Sequence, residues 1–162
     1  MKKKRVVIIS LLLLLVSVIG ISSYFLFKDK INLLDVDHSA VDWNGKKQNG
    51  KKQKDTSGEE NTIAIPGFEK VTLYANETTQ AVNFHNPEIN DCYFKISLIH
   101  PDGSVLWISD LIEPGKGMYS IELEKTLAVG EYENAVLKYE CFSLNDQSPL
   151  NGSEINLKLV VV

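Results

Sequence analysis

The sequence predicts an all-β protein, in which an antiparallel two-sheet sandwich of about seven strands follows one membrane-spanning helix and a disordered linker. Three observations support this. Residues 6–27 form a mainly apolar run without a charged residue, directly after four basic residues. Residues 28–62 are mostly polar. From residue 63 onward, short runs of alternating apolar and polar residues are separated by Gly, Pro, Asn and Asp, a pattern typical of strands and turns.

The apolar run has the length of a membrane-spanning helix. Its 22 residues would extend roughly 33 Å, against about 30 Å of bilayer hydrocarbon. The basic tail at residues 1–5 predicts a cytoplasmic N-terminus, a single pass through the plasma membrane and an extracytoplasmic remainder. The alternative is a cleaved secretory signal, whose apolar region usually has only about 7–15 residues. Both alternatives place the rest of the chain outside the cytoplasm.

Residues 28–62 have the composition of a flexible extracytoplasmic linker, with a tandem repeat of Asn-Gly-Lys-Lys-Gln at residues 44–53. A flexible coil of this length spans roughly 30–35 Å, which predicts that the linker lifts the domain away from the bilayer. Two stretches within it, residues 31–36 and 40–43, are more apolar. They suggest either a short juxtamembrane helix on the lipid surface or, through Trp43, a contact with a partner.

The region from residue 63 to 162 is expected to be one domain without helices. An edge segment is predicted at residues 63–67, and Pro101, Asp102 and Gly103 predict a hairpin turn. A polar loop is expected at residues 145–152. The predicted strands are residues 69–75, 80–85, 92–100, 105–109, 118–123, 132–144 and 154–162.

The charge of this domain excludes one class of partner. Residues 63–162 contain six Lys, fourteen Asp or Glu and no Arg, a net charge of −8. Such a surface repels phosphate backbones, so nucleic-acid binding is not expected.

The sequence offers no motif for catalysis, a cofactor or a metal. It lacks a Gly-x-Ser-x-Gly nucleophile turn and the glycine-rich loops that bind nucleotides. His85 and His100 stand at predicted strand ends and are expected at the surface beside turns. A pair of carboxylates for glycoside hydrolysis is conceivable, but strand alternation assigns these residues to a solvent-facing surface. The glutamates concerned are Glu122, Glu124, Glu131 and Glu133. The protein is therefore not expected to be an enzyme.

The spacing of Leu127, Gly130 and Tyr132 before a long strand resembles the tyrosine-corner region of immunoglobulin-like and fibronectin type III-like domains. The overall layout is also similar to uncharacterised single-pass surface proteins of Gram-positive bacteria. These resemblances imply an immunoglobulin-like fold and a cell-surface location, and they imply no activity. The domain differs from antibody-type members, because its cysteines are not at the usual inter-sheet positions and Trp107 is not beside one of them.

In an immunoglobulin-like sandwich the strands that carry Cys92 and Cys141 would be antiparallel neighbours, with both side chains facing inward. A disulfide bond between them would close a loop of about 50 residues and contribute roughly 4 kcal/mol on the chain-entropy model. The alternative is two buried free thiols that pack as small apolar groups.

Four aromatic residues are the candidate partner contacts: Trp43 in the linker, and Tyr74, Tyr93 and Trp107 as an aromatic platform for sugar. The expected function is that of a membrane-anchored, extracytoplasmic binding or adhesion module for an unknown protein or cell-wall polymer. The alternative is a structural or accessory subunit of a cell-envelope complex that docks through its anchor and juxtamembrane stretch.

Overall fold

The computed structural model describes residues 33–44 and 62–162. The predicted anchor at residues 6–27 lies outside the described residues, as does most of the Asn-Gly repeat. Within the described ranges every named element is a strand, and no helix there is long and apolar enough to cross a membrane.

The described residues form two sheets, which confirms the predicted all-β class. One sheet has three strands in the order β1-β6-β3, and the other has five in the order β2-β8-β7-β4-β5. The strands are β1 (Val41–Asp42), β2 (Lys70–Leu73), β3 (Thr79–His85), β4 (Cys92–Ile99), β5 (Val105–Ile108), β6 (Lys116–Glu122), β7 (Gly130–Ser143) and β8 (Pro149–Val161).

The antiparallel pair β7 and β8 is the longest ladder of the five-stranded sheet. Strand β8 begins at Pro149, so the polar loop expected at residues 145–152 is shorter than predicted. Gly152 explains the difference. A Cβ at this position would lie only 2.2 Å from the Tyr139 carbonyl oxygen, so glycine permits a close backbone approach where the register shifts between Tyr139 and Cys141.

The core lies between the two sheets and consists of alternate strand residues. Phe94 and Tyr139 meet edge to face with ring centroids 5.3 Å apart, and Phe84 packs on Trp107 at 5.8 Å. Leu73 on β2 is fully buried in the same core. Burial of such side chains is the dominant favourable contribution to folding, about 1.5–3 kcal/mol each.

Two buried asparagines hold the segment that was expected as an edge strand. The Asn90 side chain accepts a hydrogen bond from the Ala64 N–H and donates one to the Ala64 carbonyl, at 2.8 and 2.9 Å. Asn86 donates to the carbonyls of Cys92 and Ile112. The Asn90 amide thus supplies the hydrogen bonds that a neighbouring strand would otherwise provide to the Ala64 backbone.

Candidate interaction surfaces

Residues 34–44, here called the strap, lie against the sandwich, which differs from the flexible linker expected for them. The Leu34 N–H donates to Gln147 Oε1 at 2.6 Å, and Gln147 Nε2 donates back to the Leu34 carbonyl at 3.0 Å. Val36 then forms a parallel bridge with Leu111. Further along, β1 pairs antiparallel with β6. The strap therefore runs from the β7–β8 turn to the edge of the three-stranded sheet.

Trp43 fixes the far end of the strap. Its ring stacks on His85 with centroids 3.8 Å apart and planes 6° from parallel, and its Nε1 donates to Asn83 Oδ1 at 2.8 Å. Gly117 makes room for this stack, because a Cβ there would lie 2.9 Å from His85 Cβ and 3.1 Å from Trp43 Cδ1. Trp43 thus docks on its own chain, and its segment is a strand and not a juxtamembrane helix. His85, expected at the surface, is fully buried.

An ion pair also joins the Trp43 end of the strap to β6. Lys116 Nζ on β6 donates to Asp42 Oδ1 at 2.7 Å. This hydrogen bond and the lysine charge lower the pKa of Asp42 and raise the pKa of Lys116. Two residues after Asp42, the Asn44 N–H lies 3.3 Å from the Tyr119 hydroxyl. Because Asp42 is exposed, the ion pair adds little to stability.

Three exposed apolar residues meet at the end of the five-stranded sheet where β7 begins; we call them the open-end row. Leu73 on β2 pairs with Val161 on β8, and Val161 pairs with Gly130 on β7. The adjoining positions are Tyr74, Val162 and Val129, which are 55%, 57% and 72% exposed. The row thus crosses three neighbouring strand ends on one face of the sheet.

A second apolar area, the hairpin face, lies at the other end of β7. Tyr93 on β4 and Pro149 on β8 each pair with Phe142 on β7. Leu144 directly follows β7 and is exposed. Leu150 is also exposed, but it pairs with the inward-facing Cys141 and so lies on the other face of the ladder. A shallow cavity of about 330 Å³ opens here, lined in part by Phe142, Pro149 and Leu150.

The structure does not bring the predicted aromatic platform together. Tyr74 lies at the Gly130 end of β7, whereas Tyr93 pairs with Phe142 near its other end. Twelve residues of strand separate these two levels, a distance of roughly 40 Å. Trp107 is only 7% exposed and packs in the core. Tyr74 and Tyr93 therefore belong to two separate surfaces, and Trp107 belongs to neither.

Cys92 and Cys141 are neighbours on adjacent strands and both are buried as free thiols. Phe94 pairs with Cys141, so Cys92 lies diagonally across the ladder from it on the same inward face. A hydrogen bond between the thiols lowers the pKa of Cys92, and the same contact together with burial raises the pKa of Cys141. Whether the pair oxidises to a disulfide stays a prediction.

Three of the four carboxylates considered for hydrolysis, those of Glu122, Glu131 and Glu133, contact neighbouring side chains. Thr78 and Thr79 donate to Glu122, and these hydrogen bonds lower its pKa. Lys158 contacts both Glu131 and Glu133. Among residues 33–44 and 62–162, no group of three or more His, Cys, Asp or Glu is placed to hold a metal ion.

Comparison with known proteins adds no relative: no family model, curated protein or solved structure matches the chain. The contacts of the described residues are therefore the basis for any functional proposal.

Proposed function

We propose that this protein is a membrane-anchored, extracytoplasmic binding module, in which residues 6–27 are the single-pass anchor and the open-end row is the recognition surface. Its partner is a protein or a cell-wall polymer, and it carries no catalytic activity, cofactor or nucleic-acid site. The resemblance to single-pass surface proteins of Gram-positive bacteria is part of this proposal. The observation that carries it is the row formed by Tyr74, Val129 and Val162.

An immunoglobulin-like fold is part of this proposal, and two observations support it. The Tyr132 hydroxyl donates to the Ala128 carbonyl at 2.9 Å, which is the hydrogen bond of a tyrosine corner. The five-stranded sheet contains β4, β7 and β8 side by side, and β3 pairs with β6 in the other sheet. This arrangement matches the CFG and BE strand sets of that fold, whose end loops commonly carry recognition.

The open-end row has the composition of a small binding centre. Tyrosine is enriched at interaction hot spots. Burial of an exposed valine by a partner favours binding, because it removes apolar surface from water. Glu77 lies three residues after Tyr74 and is an acidic residue at the border of the row, whereas the nearby Glu131 is paired with Lys158. We therefore expect a partner surface that is apolar at its centre and basic or polar around it.

A matched pair of substitutions tests the recognition surface. Val129→Asp is expected to reduce co-sedimentation of vesicles carrying the full chain with isolated cell envelopes at least several-fold, because it places a charge at the β7 end of the row. Ile89→Asp is the control. Ile89 is 76% exposed, close to the 72% of Val129, but it follows β3 near the opposite end of the sandwich. Protease treatment of the envelopes then separates a protein partner from a polymer. Equal binding by both variants would contradict the proposal.

The topology has its own test. Protease added to intact cells is expected to degrade residues 63–162 and to leave a short membrane-embedded fragment. Protection of the C-terminal hundred residues until the cells are permeabilised would contradict the extracytoplasmic placement.

The alternative role, an accessory subunit that docks through its juxtamembrane stretch, finds less support. Residues 34–44 are already engaged by the chain's own sandwich through Gln147, Leu111 and His85. A partner that used this stretch would first have to displace those contacts.

A further inference from the structure

We propose that the outward face of the five-stranded sheet packs against the same face of a second copy of this chain, in a two-fold symmetric dimer. The surface consists of the outward-facing side chains of residues 93–99 on β4, 105–108 on β5 and 136–142 on β7; we call it the pairing face. It lies beyond the open-end row on β7, and the inference does not depend on the anchor or on that row.

One end of the pairing face is aliphatic. Ile99 on β4 pairs with Val105 on β5 and with Val136 on β7, and side chains of directly paired residues share a face. Ile108 pairs with Ser97, two residues before Ile99, and so belongs to the same face. Val105 and Ile108 are 46% and 47% exposed. Adjoining aliphatic side chains on three strands are unusual on the solvent side of an antiparallel sheet, where polar residues are expected, and they indicate a contact surface.

The charge of this side of the sheet favours a second copy as the occupant. Residues 63–162 carry a net charge of −8, so two copies repel each other in most relative orientations. On the outward side of β2, β4, β7 and β8, however, four Lys balance four Glu. These residues are Lys70, Lys95, Lys138, Lys158, Glu131, Glu133, Glu140 and Glu154. Four of the six lysines of residues 63–162 thus stand on one side, where repulsion between two copies is smallest.

The order of side chains along β7 makes the face complementary to itself. Val136, Lys138, Glu140 and Phe142 face outward in succession, because Leu137, Tyr139 and Cys141 between them are buried. A two-fold axis that lies in the interface and crosses β7 between positions 138 and 140 reverses the strand direction of the second copy. Lysine 138 of each copy then faces glutamate 140 of the other, and valine 136 faces phenylalanine 142.

The same axis joins the two ends of β4. Ile99 of one copy meets Tyr93 of the other, so the aliphatic end of each copy covers the aromatic hairpin face of its neighbour. Within one chain, Lys138 Nζ lies 3.4 Å from Glu140 Oε1, and the two side chains are 37% and 41% exposed. An exposed ion pair of this kind contributes little to stability, so its members can exchange partners between copies.

The size of the pairing face indicates a weak, reversible dimer. Tyr93 and Ile99 are six residues apart on β4, a distance of roughly 20 Å, and neighbouring strands lie about 4.8 Å apart. Two such faces, packed about 10 Å apart, bury on the order of 1,000 Å² in total, at the lower end for specific interfaces. We therefore expect the dimer to form at high concentrations of the chain and to dissociate on dilution.

Charge reversal along β7 tests the pairing. The full chain is kept in excess detergent micelles, and energy transfer is measured between donor-labelled and acceptor-labelled chains at increasing concentration. Lys138→Glu alone and Glu140→Lys alone each place like charges opposite one another across the axis, and each should reduce transfer at least several-fold. The chain with both substitutions restores opposite charges across the axis and should recover most of the transfer. Such recovery would not occur if the substitutions acted only by destabilising the fold.

The position of the labels tests the orientation. Fluorophores are attached at Glu77→Cys or at Asn145→Cys, near opposite ends of the sheet. Cys92 and Cys141 are each 1% exposed, and the chain without an added cysteine measures their background labelling. Because the strands of the two copies run in opposite directions, transfer from position 77 to position 145 of another copy should be several-fold stronger than transfer between two copies labelled at position 77. Equal transfer for the two label pairs would overturn the two-fold arrangement.

A second pair of variants separates the apolar contact from the charges. Val105→Thr with Ile108→Thr keeps β-branched side chains in the strand but removes apolar surface from the interface, so transfer should fall several-fold. Ile89→Asp is the control at a 76% exposed position outside the pairing face, and it should leave transfer unchanged.

Two results would overturn the proposal. The first is the absence of concentration-dependent transfer in the unmodified chain. The second is equal transfer in the unmodified chain and in both single charge variants, which would place the pairing on another surface. Neither result bears on the open-end row, which Val129→Asp tests separately.

Discussion

Two short strands, β1 and β2, stand at the edges of different sheets and are held in different ways. In β2, Val71 and Leu73 are buried and continue the alternation of the core. In β1, both Val41 and Asp42 are exposed. The segment that contains β1 is held by side chains outside it, above all by the stack of Trp43 on His85.

The comparison distinguishes an edge strand that belongs to the core, β2, from one that belongs to a detachable segment, β1. Burial of a complete apolar face integrates β2 into the cooperative core, where each side chain contributes about 1.5–3 kcal/mol. A few aromatic and polar contacts hold the strap, and each of these contributes about 1 kcal/mol. We therefore expect the strap to detach while the sandwich stays folded, whereas β2 is lost only when the whole domain unfolds.

The largest effect is expected from Leu73→Ala. Leu73 is fully buried, and its truncation leaves a cavity at a typical cost of about 2–5 kcal/mol in the free energy of unfolding. Urea denaturation followed by circular dichroism measures this loss. Thr72→Ala on the outer face of the same strand is the control, with an expected change below about 0.5 kcal/mol. A cost for Leu73→Ala no greater than that of the control would show that β2 is not part of the core.

Trp43→Ala is expected to have a smaller effect on the whole domain, about 1–2 kcal/mol, because it removes one stacking contact and one hydrogen bond. Its local effect is larger: amide hydrogen exchange of residues 35–44 should accelerate strongly while that of β7 stays slow. Val41→Ala, at a 50% exposed position of the same segment, should leave the exchange unchanged. Uniform acceleration across β7 as well would mean that the strap and the core unfold together.

Gln147→Asn tests the other end of the strap. Asparagine tolerates the positive φ of 54° at this position, but its shorter side chain cannot reach Leu34. We expect a loss of about 1 kcal/mol or less and faster exchange near Leu34 only. Gln147→Glu keeps the acceptor and loses the donor, so its effect should be intermediate. An unchanged exchange rate in the asparagine variant would contradict the anchoring role of Gln147.

The smallest expected effect is a response to acid at the Asp42–Lys116 pair. Lys116 lowers the pKa of Asp42, so the contribution of the pair is present above the unfolded pKa of about 3.9 and is lost as the pH falls through the lower folded value. The indole N–H resonance of Trp43 should therefore shift as the pH falls below about 4. Asp42→Asn should remove this part of the shift, and an identical titration in the variant would exclude the pair as its cause.

The sequence was informative where local alternation decides the structure. Buried residues of β4, such as Phe94, Ile96 and Leu98, follow a period of two, and the strand lies where that period places it. The strap was missed because its contacts are remote: Trp43 bonds to a residue 40 positions away, and Leu34 to one 113 positions away. A polar composition with one tryptophan carries no local sign of such a partner.

Two further differences between the predicted and the observed structure also depend on contacts between residues that are distant in sequence. Gly152 resembles a loop residue in sequence, but it permits a close approach to Tyr139 within a strand. Tyr74 and Tyr93 both face outward, but their separation along β7 depends on the pairing of strands. Alternation predicts which face a residue occupies, and only the register predicts its neighbours.

The position of β1 on β6 also bears on self-association. An uncovered strand edge offers unpaired N–H and C=O groups to any other extended chain, and this is a common origin of aggregation. The strap covers this edge at Lys116 and Gly117 with a polar segment of only two paired residues. A shortened fragment that starts after the strap would leave this edge open, and preparations of the isolated domain should therefore retain residues 34–44.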